Sequence, residues 1–492
     1  MPRGRVRPTL WSIIQVSSRL EHLLARLDPS HEPSASVLLL RFLPGWPYRF
    51  LTFAFLLASF SHLWLDDATL ASWMPANIVY VLGLLVMVWR PGLLAWSLCA
   101  TGLAIPLFFL RDQLTQSVFL LFICGAAIVE HLRFWRGHFD ASAVFMQTVR
   151  WLTVITYTMA AFHKLNRDFI NPVTSCANYG INELIVYWGM PRLAFLDPVW
   201  PWLAICIEAT IALLFLMRRH RLAWSLGIVF HIPLTLTMAP AFVFVMFVGW
   251  AAFATDEDLV LLRNTIRRHG TKILPGGMVL CALSLWAYGK VPEPTMIPRE
   301  LLLWTLLILL FVTFPIFKRT TWERAEKSRF SAWSLVFAGL FLANTLSPYT
   351  GLQYQHAAAM LSNLRIDEGC WNHVVVPESA RIREDYIRID EGWFGKPGVI
   401  EEYEHIMKDQ LWNVPQIRQM QRNWCKHEVR PLYIRGTYRG KPFEIADLCP
   451  APGSKVLPPL PFDDSVFGIE LFPEYLRFQK NLERECPQAC IH

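Results

Sequence analysis

The sequence predicts an all-α polytopic membrane domain of about 9–11 transmembrane helices, followed by a small α+β extramembrane C-terminal domain. Three observations lead there. The first is composition: 54% of the 492 residues are hydrophobic and 14% are aromatic, more apolar surface than a soluble chain of ordinary make-up can bury. The second is spacing. From Tyr48 onward, apolar runs of roughly 15 to 20 residues, the length a bilayer core demands, alternate with short polar connections. The third is the way basic residues and cysteines sort onto opposite sides of those runs.

In chain order, residues 1–47 form a basic tail, with Arg3, Arg5, Arg7, Arg19, Arg26 and Arg41 around an amphipathic stretch from Leu10 to Leu27. Such a tail is expected to stay cytoplasmic and lie on the membrane surface, leaving targeting to the first span; an Arg-rich presequence is the alternative. The membrane domain occupies 48–346. Its spans are expected near 48–65, 73–89, 93–110, 117–135, 143–163, 199–217, 222–238, 241–254, 273–289, 300–317 and 330–346. The short seventh and eighth meet at Ala239 and Pro240, and can also be read as one broken element.

Alternate connections carry Arg90, then Arg133 with Arg136, then Arg218, Arg219 and Arg221, then Arg263, Arg267 and Arg268, then Lys318 through Arg329. Cationic loops are retained in the cytoplasm, so the N-terminus is expected inside and the C-terminus outside. The net charge of +7 is spread over these loops. No stretch forms a nucleic-acid patch, and the expected partners are the lipid bilayer and an exported peptide or protein.

Cys99, Cys124, Cys206 and Cys281 fall within spans and read as small packing residues. Cys176, Cys370, Cys425, Cys449, Cys486 and Cys490 all fall on the predicted outer side. That confinement predicts disulfides in an oxidising space, periplasm or endoplasmic reticulum lumen, with at least one bridge tying the Cys176 loop to the C-terminal region.

Residues 347–492 are the extracytoplasmic domain. Short strands are expected at Asn372–Val376 and Tyr386–Ile389, and a hairpin at Leu432–Tyr438 and Pro442–Ile445, turning at Arg439 and Gly440. A helix is expected over Val414–His427, with Pro415 at its start and Ile417, Met420 and Trp424 on one face. A proline-rich link from Pro450 to Pro461 leads to a last helix near Pro473–Arg484.

Ionisable residues inside a membrane are costly, so each needs a reason. The stretch TYTMAAFHKLNRDFINPVTSCAN, Thr156 to Asn178, begins as an apolar helix and ends as polar loop, which puts His163 and Lys164 at the mouth of a span. An amine in so water-poor a place holds its proton less firmly than in water. Glu208 and His231 lie mid-depth in their spans, His62 closes the first, and Glu130 and His131 sit in the inner half of the fourth. Each has a plainer explanation: Lys164 can snorkel, His231 can make a helix-to-helix hydrogen bond, Glu208 can be a buried protonated acid, and Glu130, His131 and Arg150 can be interfacial or packing residues. No metal-ligand spacing is present, so no metal is expected.

The segment FHKLNRDF, Phe162–Phe169, closing an apolar helix before a long loop, resembles the lysine region of the vitamin K-dependent gamma-carboxylase superfamily, whose bacterial members are described as horizontally transferred transmembrane (HTTM) proteins. The spans holding Glu208 and His231, and the segment SPYTGLQYQHAAAMLSNLRIDEG from Ser347 to Gly369, are similar as well. The resemblance covers residues 38–377. It implies that Lys164 is the base that deprotonates a reduced, vitamin K-like quinone, and that His163, His231 and Glu208 position substrate or relay protons. The C-terminal domain is far shorter than the lumenal region with which vertebrate carboxylases hold a propeptide, so the implied activity stops at a quinol-linked modification of exported peptides. A proton-coupled transporter using Glu208 and His231, or a non-catalytic scaffold working through its outer domain, are the alternatives.

Overall fold

A computed structural model describes residues 43–65, 74–109, 115–187, 191–237, 242–268, 279, 331–351, 357–359, 361–382, 386–394, 407–425, 432–450, 456–462, 482–487 and 490. The expected spans at 273–289 and 300–317, most of the basic tail, the side chain of His62 and most of the expected last helix lie outside them.

The described chain is mostly helical, with a small antiparallel sheet near its C-terminal end. Helices α1 (Trp46–Leu65), α2 (Met74–Trp89), α3 (Leu93–Phe109), α4 (Thr115–Trp135), α5 (Ala141–His163), α8 (Trp200–Leu216), α9 (His220–Thr237), α10 (Phe242–Ala251) and α11 (Ala332–Leu346) coincide with expected spans to within a few residues. The expected pair at 222–238 and 241–254 is two helices, α9 and α10. Among the described residues one helix, Ser117–Trp135, is long and apolar enough by itself to cross a membrane; Pro75–Trp89, Leu93–Ile105, Trp200–Leu216 and Phe242–Ala251 are shorter apolar helices.

Helix α5 is the centre of the bundle, packed against α1, α4, α8, α10 and α11. Small residues let backbones close in, both on α5 and elsewhere in the bundle. A side chain at Gly249 of α10 would overlap the Thr153 side chain of α5, and one at Gly102 of α3 would meet the Tyr80 backbone of α2. Polar pairs fix the register: Thr148 and Ser334 hydroxyls lie 2.8 Å apart between α5 and α11. At the end of the bundle remote from Lys164, Tyr48 Oη donates to the Pro91 carbonyl and accepts from Trp96 Nε1 at 2.9 Å. There His131 Nδ1 donates to Ala127 O at 2.7 Å, Glu130 pairs with Arg133 at 2.6 Å, and Arg150 Nε donates to Ala252 O at 2.7 Å. These three residues are thus bound into packing contacts far from the site described below.

The same end carries a buried ionic cluster. Thr255 and Asp258 form a reciprocal cap on helix 256–268, the Asp258 amide bonding Thr255 Oγ1 at 3.2 Å and the Thr255 amide bonding Asp258 Oδ2 at 3.0 Å. His220 Nε2 and Arg221 Nε meet the same carboxyl, each at 2.8 Å. Burial alone would push the Asp258 carboxyl up, but the His220 bond and charge and the two Thr255 bonds outweigh it and hold it down at about 2. A depressed carboxyl stabilises the fold above its unfolded value, about 3.9, and loses that contribution as pH falls through the folded value. Asp258→Asn is therefore expected to cost about 3–5 kcal/mol near neutral pH. Thermal melts across pH should show the gap between the two proteins narrowing below about pH 4.

Beyond the bundle, strands β1 (Tyr386–Phe394), β2 (Gln410–Asn413), β3 (Leu432–Tyr438), β4 (Lys441–Ile445) and β5 (Leu482–Glu483) form an antiparallel sheet in the order β4-β3-β1-β2-β5. The expected hairpin is β3–β4, and Arg439 and Gly440 at its turn both take positive φ, +51° and +70°, as a two-residue turn between right-twisted strands requires. Alternate β3 residues Leu432, Ile434 and Tyr438 join Ile387, Ile389, Val414, Ile417 and Met420 in a core of its own. Helix α12 (Val414–Trp424) starts on a capping box between Asn413 and Gln416.

Two local expectations are corrected. Asn372–Val376 is not a strand but a loop with one isolated bridge, His373 to Asn166, because its amides go to the Arg365 and Leu165 carbonyls and to the His373 ring rather than to a neighbouring strand. The C-terminal stretch expected as helix to Arg484 contains strand β5, whose Leu482 pairs with Leu411 of β2. Beyond those two, the long stretch expected as loop after Lys164 holds two short helices, α6 (Arg167–Ile170) and α7 (Cys176–Tyr187).

Candidate active site

Helix α5 ends at Lys164, and the next residues turn back sharply. Asn166 drives the turn: its Oδ1 caps α6 by accepting from Phe169 N at 2.8 Å, and its Nδ2 donates to the His163 and Ser362 carbonyls. The segment after α11 then clamps this loop. Arg167 N donates to Asn372 O at 3.0 Å, Val374 N donates to Leu165 O at 2.9 Å, and Asn363 bonds both Cys176 N and Thr174 O. The Cys176–Cys490 disulfide closes the clamp over 314 residues of sequence, with Cys370–Cys486 beside it and Cys425–Cys449 within the sheet domain. The expected bridge from the Cys176 loop to the C-terminal region is thus present, and the two stretches that carried the family resemblance form one body.

His163 belongs to this clamp. Its Nε2 can only donate to the Ala357 carbonyl, at 3.1 Å, so Nδ1 must accept from the Tyr349 hydroxyl at 2.8 Å. His373 is held the same way. Its Nε2 donates to Phe162 O at 3.0 Å, while Nδ1 accepts the Val375 and Val376 amides at 3.2 and 2.9 Å. Burial pushes His373 below its ordinary value, only partly opposed by the Phe162 carbonyl. A protonated ring would also turn an N–H onto two amide donors. Its contribution to stability is therefore complete above the unfolded value, about 6.5, and is lost as pH falls below it. Between about pH 7.5 and 5.5 the wild type is expected to lose stability that His373→Asn, weaker at the higher pH, does not lose further, as thermal melts of the two would record.

Lys164 faces the other way. Its Nζ lies 3.0 Å from Glu208 Oε1 and 2.9 Å from Oε2, with both side chains 8% exposed. Ala160 O is 3.4 Å away, and the Phe169 ring centre 5.7 Å. The pair lines a cavity of about 280 Å³ whose other walls are mostly apolar, among them Ile181, Trp200, Ile207, Phe230, Phe242 and Met246, with the hydroxyl of Thr156 donated to the Leu152 carbonyl. Leu203 and Val229 stand both on the cavity wall and on the bundle's outer surface, 42% and 61% exposed. Glu208 Oε2, close to Nζ but out of hydrogen-bond alignment, has no other partner among the described residues.

His231 is not on that wall. It sits behind Phe230 and Phe242, whose rings it touches, and its Nε2 is 2.8 Å from the Tyr157 hydroxyl, which also accepts from Trp250 Nε1 at 3.0 Å. Of the four residues singled out in the sequence, the fold brings together Lys164 and Glu208 and places His163 and His231 in separate networks on either side. Among the described residues no three His, Cys, Asp or Glu side chains gather as a metal site would require.

Sequence reasoning missed Tyr157, Asn166, Tyr349, Asn363 and His373. Only Tyr157 leaves a trace there: it lies seven residues before Lys164, two turns down the same helix face. No protein-family model, curated protein or solved structure matches the chain.

Proposed function

We propose that this is a multi-span membrane protein, of the carboxylase-like HTTM superfamily, whose Lys164–Glu208 pair performs acid–base chemistry on a bilayer-dissolved reduced quinone in order to modify exported peptides at the outer face. The observation that carries this reading is the placement of one buried lysine–glutamate pair on the wall of a largely apolar cavity of about 280 Å³. Low polarity strengthens every charge interaction there and keeps water from a reactive intermediate.

The membrane reading is supported by the apolar outer surface of the bundle, including Phe53, Phe60, Leu85, Val88, Leu213 and Leu340, which a water-soluble protein would have to cover. The alternating basic loops support the orientation, and the three disulfides support an oxidising compartment for the C-terminal domain. The residues present suit a quinol: apolar walls for ring and tail, and a donor beside an acceptor for its hydroxyl. Bound there, a reduced quinone would supply a hydroxyl proton and reducing electrons.

The test is complementation of a deletion strain by wild type, Lys164→Ala and Glu208→Ala at matched membrane levels, with proteomics of exported proteins. Loss of a mass shift on a specific exported protein in both variants is expected. Full function in both would remove the chemistry from this pair and leave a scaffold; loss of proton-coupled uptake in Glu208→Ala with no protein modified would make it a transporter.

A further inference from the structure

The roles of the two charged groups follow from which of them has an open lone pair. An ammonium at Lys164 has three N–H donors and no acceptor. One reaches Glu208 Oε1 and a second leans on the Ala160 carbonyl, which leaves one to offer. The carboxylate of Glu208 commits Oε1 to that bond, while Oε2, 2.9 Å from the same ammonium, has no donor aligned on its lone pairs among the described residues. The open acceptor of the cavity is thus on the glutamate.

We infer that Glu208 is the proton acceptor of this site and that Lys164 stays charged, its ammonium pairing with the anion the ligand becomes. This rests on reading the cavity as the ligand site, and it reverses the role that resemblance gives the lysine. The step balances. The ligand's O–H bond breaks, its proton forms a carboxylic O–H on Oε2, and the electron pair stays on the ligand oxygen. The site begins as ammonium and carboxylate and ends as ammonium, ligand oxyanion and neutral acid, with total charge unchanged.

The apolar walls make this exchange workable. A lone anion is strongly disfavoured in such a cavity, but protonation of Glu208 releases the ammonium from one anion at the moment it is needed for another. The charge is stabilised where it develops, by a group already in place. The same arithmetic fixes the ligand's head as uncharged and hydroxyl-bearing. A carboxylate or phosphate head would set a second anion beside Glu208, and an ammonium head would meet Lys164.

The experiment uses the full-length protein in lipid nanodiscs with a 4-alkyl-2-nitrophenol, whose phenolate and phenol absorb at different wavelengths. The pH is set where the probe is neutral in empty nanodiscs. Binding is read separately as quenching of tryptophan fluorescence, since Trp200 is on the cavity wall. Wild type and Lys164→Arg are expected to bind the probe and give the phenolate band; Glu208→Gln is expected to bind it with that band at least about tenfold weaker, a loss of about 1.4 kcal/mol or more in favour of the ionised form. A band that survives in Glu208→Gln and vanishes in Lys164→Arg makes the lysine the acceptor and overturns the assignment. Binding to wild type without ionisation also overturns it. Should Glu208→Gln fail to melt cooperatively, Lys164→Arg decides alone, because it keeps the cation. Absence of quenching in wild type overturns the cavity as a ligand site, and this assignment with it.

Discussion

Replacing Glu208 by leucine is expected to cost about 3–5 kcal/mol of stability, and replacing Lys164 by methionine about as much, while the double variant returns to within about 1 kcal/mol of wild type. The reason is that the two charges sit 2.9 Å apart in a setting that leaves each side chain 8% exposed. Either one alone is a buried ion without its counter-charge, and the surrounding walls offer little to solvate it. Removing both replaces an ion pair by apolar volume in a cavity already apolar. Unfolding in lipid nanodiscs or mild detergent would measure all four proteins. Single-variant losses that simply add in the double variant would show that the two groups do not share an interaction, and would sink the pairing on which the site is built. The double variant is expected to be stable and inactive, which separates folding from chemistry.

Loss of the Cys176–Cys490 bridge is the second large effect. The bridge joins residues 314 apart in sequence, and on the loop-entropy account a closure of that span stabilises by on the order of 5 kcal/mol through the unfolded chain. Its local consequence is sharper. Cys176 opens α7, whose Ala177, Gly180 and Ile181 wall the cavity beside Lys164, so the bridge holds one wall of the site. Cys176→Ser with Cys490→Ser is expected to melt well below wild type and to lose further melting shift on addition of reductant at this bridge. Peptide mapping without reductant should recover the Cys176 and Cys490 peptides linked. Recovery of Cys176 as an alkylated free thiol from unreduced wild type would refute the bridge.

Much of this was legible in the chain. The limits of the helices that lie on expected spans, between Trp46 and Ala251 and at Ala332–Leu346, could be read within a few residues, because an apolar run broken by Arg90, Arg218 or the residues after Lys164 needs no knowledge of its neighbours. The β3–β4 hairpin was readable for a similar reason: alternation and Arg439–Gly440 are local signals. The Asn372–Val376 stretch and the Leu482–Arg484 end of the expected last helix were misread because their backbones answer to distant partners, Leu165 and Asn166 for the first and β2 for the second. Helix α6 was missed because four residues carry no periodicity; it exists through the Asn166 cap.

The sequence by itself determined that the chain is mostly helical, where the described helices on its expected spans begin and end, that six cysteines share one end of it, and that Lys164, His163, Glu208 and His231 are among the polar residues set against apolar surroundings. Only the tertiary structure decided which of them meet. Helical periodicity fixes the face of α5 that holds Tyr157 and Lys164, but nothing local to Glu208, 44 positions away, states which helix its face will meet. That choice is made by close packing of α5 against α8, by the His373 bond to the Phe162 carbonyl at the end of α5, and by the clamp of Asn363 and Cys490 on the loop after Lys164. It turns the lysine toward the glutamate and its neighbour His163 toward Tyr349, because two adjacent residues at a helix end point to different sides of it.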